Sequence, residues 1–163
     1  MITIDDKILD ELVDNAADSH RKRVHYNLHS DLNDKIHRLC VAIEPGSYIR
    51  PHRHFNPHKW ELMIILRGKM AVLLFDDTGK VINRVELTPG KGNSSVEIPH
   101  NIWHTFISME SGSVIFEIKS GPYFKPIESD FASWAPKEGV ILAKKIEKWL
   151  QTAEIGDAVD IVS

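Results

Sequence analysis

The stretch Gly46-Ser-Tyr-Ile-Arg-Pro-His52-Arg-His54-Phe-Asn-Pro-His58-Lys-Trp-Glu61-Leu-Met-Ile-Ile-Leu-Arg67-Gly68 decides how this chain reads. One residue separates His52 from His54. Side chains on a strand alternate between faces, so both imidazoles are expected on one face. Glu61 opens an apolar run that ends at Arg67 and reads as a second strand beside the first. Between them, Asn56-Pro57-His58 carries turn chemistry and brings His58 as a rival metal donor.

Working outward, Ile98-Pro-His-Asn-Ile-Trp-His104-Thr-Phe-Ile107 is a further strand candidate, with His104 on it. His52, His54, Glu61 and His104 together offer three imidazoles and one carboxylate. That set suits a divalent transition metal (Fe, Mn, Ni, Co or Zn) and not Ca or Mg, which take oxygen shells. A single histidine more often satisfies a surface or core hydrogen bond. Several donors on apolar strands shift the reading to a metal.

The spacing resembles the two motifs of the cupin superfamily. Gly46, His52, His54, Glu61 and Gly68 follow the first, and Gly92, Pro99 and His104 the second. The gap of six residues between His54 and Glu61 is longer than the usual pattern. Asn101 stands where the second motif has Gly, and Ser108 where it has Asn. Asn tolerates the left-handed backbone that a turn there needs. More narrowly, Glu44-Pro-Gly-Ser-Tyr-Ile-Arg-Pro-His-Arg-His54, Lys59-Trp-Glu-Leu62, Leu74-Phe-Asp-Asp77, Val96-Glu-Ile-Pro99 and Trp103-His-Thr105 resemble the WbuC family of cupin-fold metalloproteins. Asn27-Leu-His29, Gly121-Pro-Tyr123 and Asp130-Phe-Ala-Ser-Trp-Ala-Pro136 fit that likeness, which covers about residues 20–140. It implies an all-β cupin barrel (a double-stranded β-helix, jelly-roll-like), a bound metal, a homodimer and a link to surface-polysaccharide sugars.

Strand parity suggests more. On a regular strand Tyr48 and Arg50 share the face of His52 and His54, Tyr48 as a proton donor and Arg50 as an anchor for a carboxylate or phosphate. The bland alternative is that Pro51 distorts the strand and turns both away. His25, Asn27 and His29 also alternate; they form a solvent face or lie near the site. Met63, Ile65, Ile102 and Phe106 are expected as apolar walls around the metal.

Further strands are expected over 24–29, 36–44, 47–54, 69–75, 81–87, 95–98, 102–108 and 113–119, with Asp76-Asp-Thr-Gly79 as a hairpin loop. Helices are expected over 4–18 and 138–151, the first capped by Thr3 with Asp6. One domain accounts for residues 1–163: an N-terminal helix over 1–20, a barrel over 24–120, and an extension with a helix over 121–163. The tail from Thr152, with Ile155, Val159, Ile161 and Val162, is expected to be loosely held or packed on a partner.

Composition is ordinary for a globular chain of 163 residues, with 42% hydrophobic and 26% charged residues. A net charge of −3 and the short cluster Arg21-Lys22-Arg23 argue against nucleic acid as a partner. The first residues do not read as a signal peptide, and no apolar run is long enough for a membrane span. The lone Cys40 excludes an internal disulfide and fits a reducing, cytoplasmic setting, as a buried small residue and not a nucleophile. The apolar Leu39/Val41/Ile43 and Cys40/Ala42 faces suggest burial between two sheets or two chains. The expected function is a metal-dependent enzyme on a small polar substrate, a sugar or sugar-nucleotide derivative, of isomerase or epimerase type. A non-haem iron dioxygenase and a non-catalytic metal- or ligand-binding module are its rivals.

Overall fold

The computed structural model describes residues 1–55 and 58–159. Eight strands form two antiparallel sheets. β1 (Arg23–Asn27), β2 (Ile36–Ile43), β8 (Ser113–Ser120), β3 (Glu61–Arg67) and β6 (Ser95–Ile98) make the larger sheet, in the order β1-β2-β8-β3-β6. β5 (Val81–Leu87), β4 (Met70–Phe75) and β7 (Trp103–Ser108) make the smaller one, in the order β5-β4-β7. This is the expected jelly-roll, and it has four layers because a helix covers the outer face of each sheet.

The apolar pattern explains the layering. Residues of even and odd parity on one strand enter different cores. Val41 and Ile43 of β2, Met63 and Ile65 of β3, Val72 of β4, Phe106 of β7 and Ile115 of β8 fill the space between the sheets. Cys40, Ala42 and Val114 face the other way and are covered by Leu9, Leu12 and Ala16 of α1 (Asp6–Asp18). Ala71, Leu73, Phe75 and Ile107, on the outer face of the small sheet, are covered by Ala143, Ile146 and Leu150 of α2 (Ile141–Thr152). Both faces of β2 are therefore buried within a single chain, and the feature that suggested a second chain is accounted for without one. Cys40 is fully buried, and burial pushes its thiol up to about 11.

The helices depart from expectation at their starts. Asp5, not Thr3, caps α1: its carboxylate accepts the Ile8 N–H at 3.0 Å. α2 begins at Ile141, not at residue 138, because Gly139 has a φ of +89° and Glu138 is drawn away to Arg21 and Arg23. The hairpin loop forms as expected, with Gly79 at a φ of +89° and Asp76 holding the Thr78 and Lys80 N–H groups.

The segment 47–54 is not a strand. Pro51 and the preceding turn leave an extended run with single bridges from His52 to His104 and to Phe131. Asn56 and Pro57 of the expected turn, and Ile161 and Val162 of the tail, lie outside the described residues. No helix among the described residues is long and apolar enough to cross a membrane.

Candidate metal centre

Three elements bring the donors together. Glu61 is the first residue of β3 and pairs with Lys119 of β8 on one side and Ile98 of β6 on the other. His104 lies on β7 in the opposite sheet. His52 is tied to it by reciprocal backbone hydrogen bonds, His52 N–H to His104 O at 3.0 Å and His104 N–H to His52 O at 2.9 Å. On its other flank, the N–H of Ala132 donates to Pro51 O and that of Arg53 to Asp130 O, both at 2.9 Å. The His-x-His segment is thus fixed between β7 and the C-terminal extension without belonging to a sheet. The expectation that both imidazoles face one way holds.

One ligand atom from each of His52, His54, Glu61 and His104 lies within 4.8 Å of all the others. Metal–ligand bonds of roughly 2.0–2.2 Å would set such atoms about 3–4.4 Å apart, so a small contraction of the cluster suffices for a single ion. Glu61 Oε1 lies 3.0 Å from His54 Nε2, and Glu61 Oε2 lies 3.0 Å from His104 Nε2. Tautomers sharpen the fit. His104 Nδ1 donates to Ile102 O at 2.8 Å and His52 Nδ1 to Arg50 O at 3.1 Å. With Nδ1 so engaged, the other ring nitrogen, Nε2, is turned onto a carboxylate oxygen. Either a proton on Nε2 or a metal ion between the two atoms satisfies this contact. Backbone carbonyls that fix the far ring nitrogen are the usual second support of a metal-ligating histidine.

Electrostatics agree. Burial, reinforced by the neighbouring imidazole of His104, pushes His52 down to about 3, so it stands as a neutral ligand. Burial works to raise the Glu61 carboxyl, but the Lys119 charge and the His104 and His54 contacts outweigh it and hold it well below the usual range. Lys119 is itself pushed down by burial and, more strongly, up by Glu117 and Glu61. Its ammonium lies 3.3 Å from Glu61 Oε1 and pairs with Glu117.

Glu117 and Lys119 are the site residues that the sequence did not give away. β8 reads as apolar on both faces up to Phe116, and only the parity of Ile115, Glu117 and Lys119 hints at an inward charged pair. Of the expected apolar walls, Met63, Ile65 and Phe106 lie in the core between the sheets, and Phe106 lines the space that reaches His52 and Glu61. Asn101 adopts a φ of +61°, as its place in the motif required, and its N–H donates to His54 O at 2.8 Å. His58 is exposed and is not one of the four converging donors.

Tyr48 and Arg50 end up elsewhere than parity suggested. Tyr48 is 6% exposed, packs in the core beneath α2, and donates its hydroxyl to Pro136 O at 2.9 Å. Burial raises its phenol well above the ordinary value, and it does not line the space beside the metal donors. The irregular backbone at Pro51 breaks the period that would have aligned it with His52. Arg50 does reach the cleft wall, but its guanidinium is engaged by Ala135 O at 2.9 Å, Ala132 O at 3.2 Å and Glu128 at 2.9 Å, over the Phe131 ring. It clamps the C-terminal extension.

A cleft of about 450 Å³ opens beside His52 and His54, walled by Phe55, Lys59, Lys119, Phe124 and Phe131. A second space of about 850 Å³ reaches His52 and Glu61 from the β1–β2 side, and His25, Asn27 and His29 line it. There His29 stacks on His37 with ring centroids 4.1 Å apart.

A family model described as Domain of unknown function (DUF6016) matches residues 4–87. The chain belongs to that family. The matched span includes His52, His54 and Glu61 but ends before His104. No curated protein matches the chain. Among solved structures, oxalate oxidase in complex with the substrate analogue glycolate is similar at a TM-score of 0.51 and 16% identity, over 66% of this chain and 55% of that one. KdgF from Halomonas sp. gives a TM-score of 0.48 at 18% identity, over 63% of this chain and 82% of the other. An RmlC-like cupin family protein with a double-stranded β-helix fold, from Methanocaldococcus jannaschii, gives 0.46 at 17% identity, over 63% and 84%. The fold is the cupin fold.

Proposed function

We propose that this protein is a metal-dependent cupin enzyme acting on a small polar molecule. One observation carries the reading: donor atoms of three imidazoles and one carboxylate, His52, His54, His104 and Glu61, converge within 4.8 Å of one another, with the far ring nitrogens of His52 and His104 fixed by backbone carbonyls. His52, His54, Glu61 and His104 would hold a divalent transition metal. Such an ion supplies Lewis-acid polarisation of a carbonyl or hydroxyl. The protein's share is to keep the donors neutral or anionic as required, to position them from both sheets, and to exclude water with Met63, Ile65 and Phe106. Lys119 holds the Glu61 carboxylate in its ionised form.

The finer reading is an isomerase or epimerase of a sugar or sugar-nucleotide derivative. The WbuC-like motifs support it; fold alone assigns no reaction. The test is to purify the protein without an affinity metal column, measure its metals, and incubate it with sugars and sugar nucleotides while following the products. An isomerised or epimerised product supports the reading. Oxygen consumption with an oxidised product would replace it with a dioxygenase, and tight binding without any product with a ligand-binding module.

A further inference from the structure

We infer that the cleft beside the metal donors takes a sugar-sized anion, its charged group held by Lys59 and an oxygen of its body turned toward the metal donors. The inference rests on the proposed metal site and names the substrate class of that site. Lys59 lies two residues before Glu61 and reaches the same side of the chain, into the wall of the 450 Å³ cleft. An ammonium has three donors. Among the described residues, that of Lys59 has one hydrogen-bond partner, Pro122 O at 2.7 Å, and no carboxylate partner. The ammonium also lies over the Phe124 ring, 5.3 Å from its centroid, a cation–π contact that favours its place at the cleft.

The other charges around the cleft are engaged. Glu138 is bridged to Arg21 and Arg23, and the carboxylate of Asp130 accepts the Ile127 N–H. Lys119 has Glu117 as its counter-ion even when Glu61 is drawn to a metal. A bound divalent ion would then leave its own residual charge and that of Lys59 facing one cleft, where Asp130 is the one lining carboxylate without a cationic partner among the described residues. An anion offsets these positive charges. A cleft of this volume suits a ligand of monosaccharide size, and Phe55, Phe124 and Phe131 give it the apolar walls on which a sugar ring packs.

The test is calorimetric titration of metal-loaded protein with glucuronate, glucose 1-phosphate and neutral glucose, with metal content measured on the same samples. The Lys59→Met variant keeps an unbranched side chain of similar length and removes the charge. The expected result is binding of at least one of the two anions and not of glucose, weakened about ten-fold or more in Lys59→Met at unchanged metal content, and restored in part by Lys59→Arg. Which anion binds tells carboxylate from phosphate. Should Lys59→Met fail to fold, the wild type still decides, because the anion's affinity must fall as salt is raised. Metal bound while glucose matches the anions, while neither anion binds, or while Lys59→Met binds as well as wild type overturns the inference and leaves the metal reading standing. A wild type that takes up no metal overturns both.

Discussion

His52 is a histidine built to stay neutral. Folding lowers its pKa from an ordinary 6.5 to about 3, first through burial. Between those values the unfolded chain binds more protons than the folded one, so the stability of metal-free protein falls as pH drops through this window, by about 1.4 kcal/mol per unit for one such group. Urea unfolding from pH 7 to 4 should show a steeper loss for wild type than for His52→Gln; parallel curves would contradict the burial. The unperturbed histidine value would put metal loss below about pH 6.5. The structure moves His52's part in that loss to stronger acid. Arg50 carries a second residue-scale prediction. Its guanidinium fork bonds two backbone carbonyls of the C-terminal extension, so Arg50→Lys should cost about 2 kcal/mol in denaturant unfolding while metal content stays as in wild type. Lost metal with unchanged stability would place Arg50 in the site after all.

At the scale of elements, each helix closes one sheet. Leu150 of α2 is fully buried against the small sheet, and Leu150→Ala should cost about 2–5 kcal/mol. Asp5→Ala removes the cap of α1 at about 1 kcal/mol. Calorimetry or urea melts of the two variants rank these costs, and the reverse order would mean that the layers are assigned wrongly. Element positions were legible because apolar runs and turn residues alternate clearly: every strand expected after residue 60 forms within a residue or two of its place. The exception is 47–54. Its residues are extended, but Pro51 and the close approach of Phe131 and His104 allow only isolated bridges. Sequence parity therefore placed His52 and His54 correctly and Tyr48 wrongly, because regular alternation did not reach back to Tyr48. The cap was misread by two positions because Thr3 and Asp5 carry similar chemistry.

At the scale of the molecule, the four candidate metal donors were legible because each sits on or beside an apolar strand at a familiar offset. Glu117 and Lys119 were not, since long-range pairing alone brings β8 beside β3 and turns them inward. The cleft was hidden for the same reason: residues 49–55, 59, 119 and 124–131 meet only in the folded chain. A metal held by these four residues would bridge both sheets and so stabilise the whole. At free metal a hundred-fold above its dissociation constant, it should add about 2.7 kcal/mol, or a rise on the order of 5–10 °C in Tm for a chain of this size. The most direct test is the metal content of protein purified without an affinity metal column, with chelator-stripped protein reloaded one metal at a time. The account predicts close to one transition-metal ion per chain in wild type, and essentially none in the His52→Ala/His104→Ala double variant at retained fold. A wild type that takes up no transition metal, or a double variant that holds as much as wild type, would contradict it.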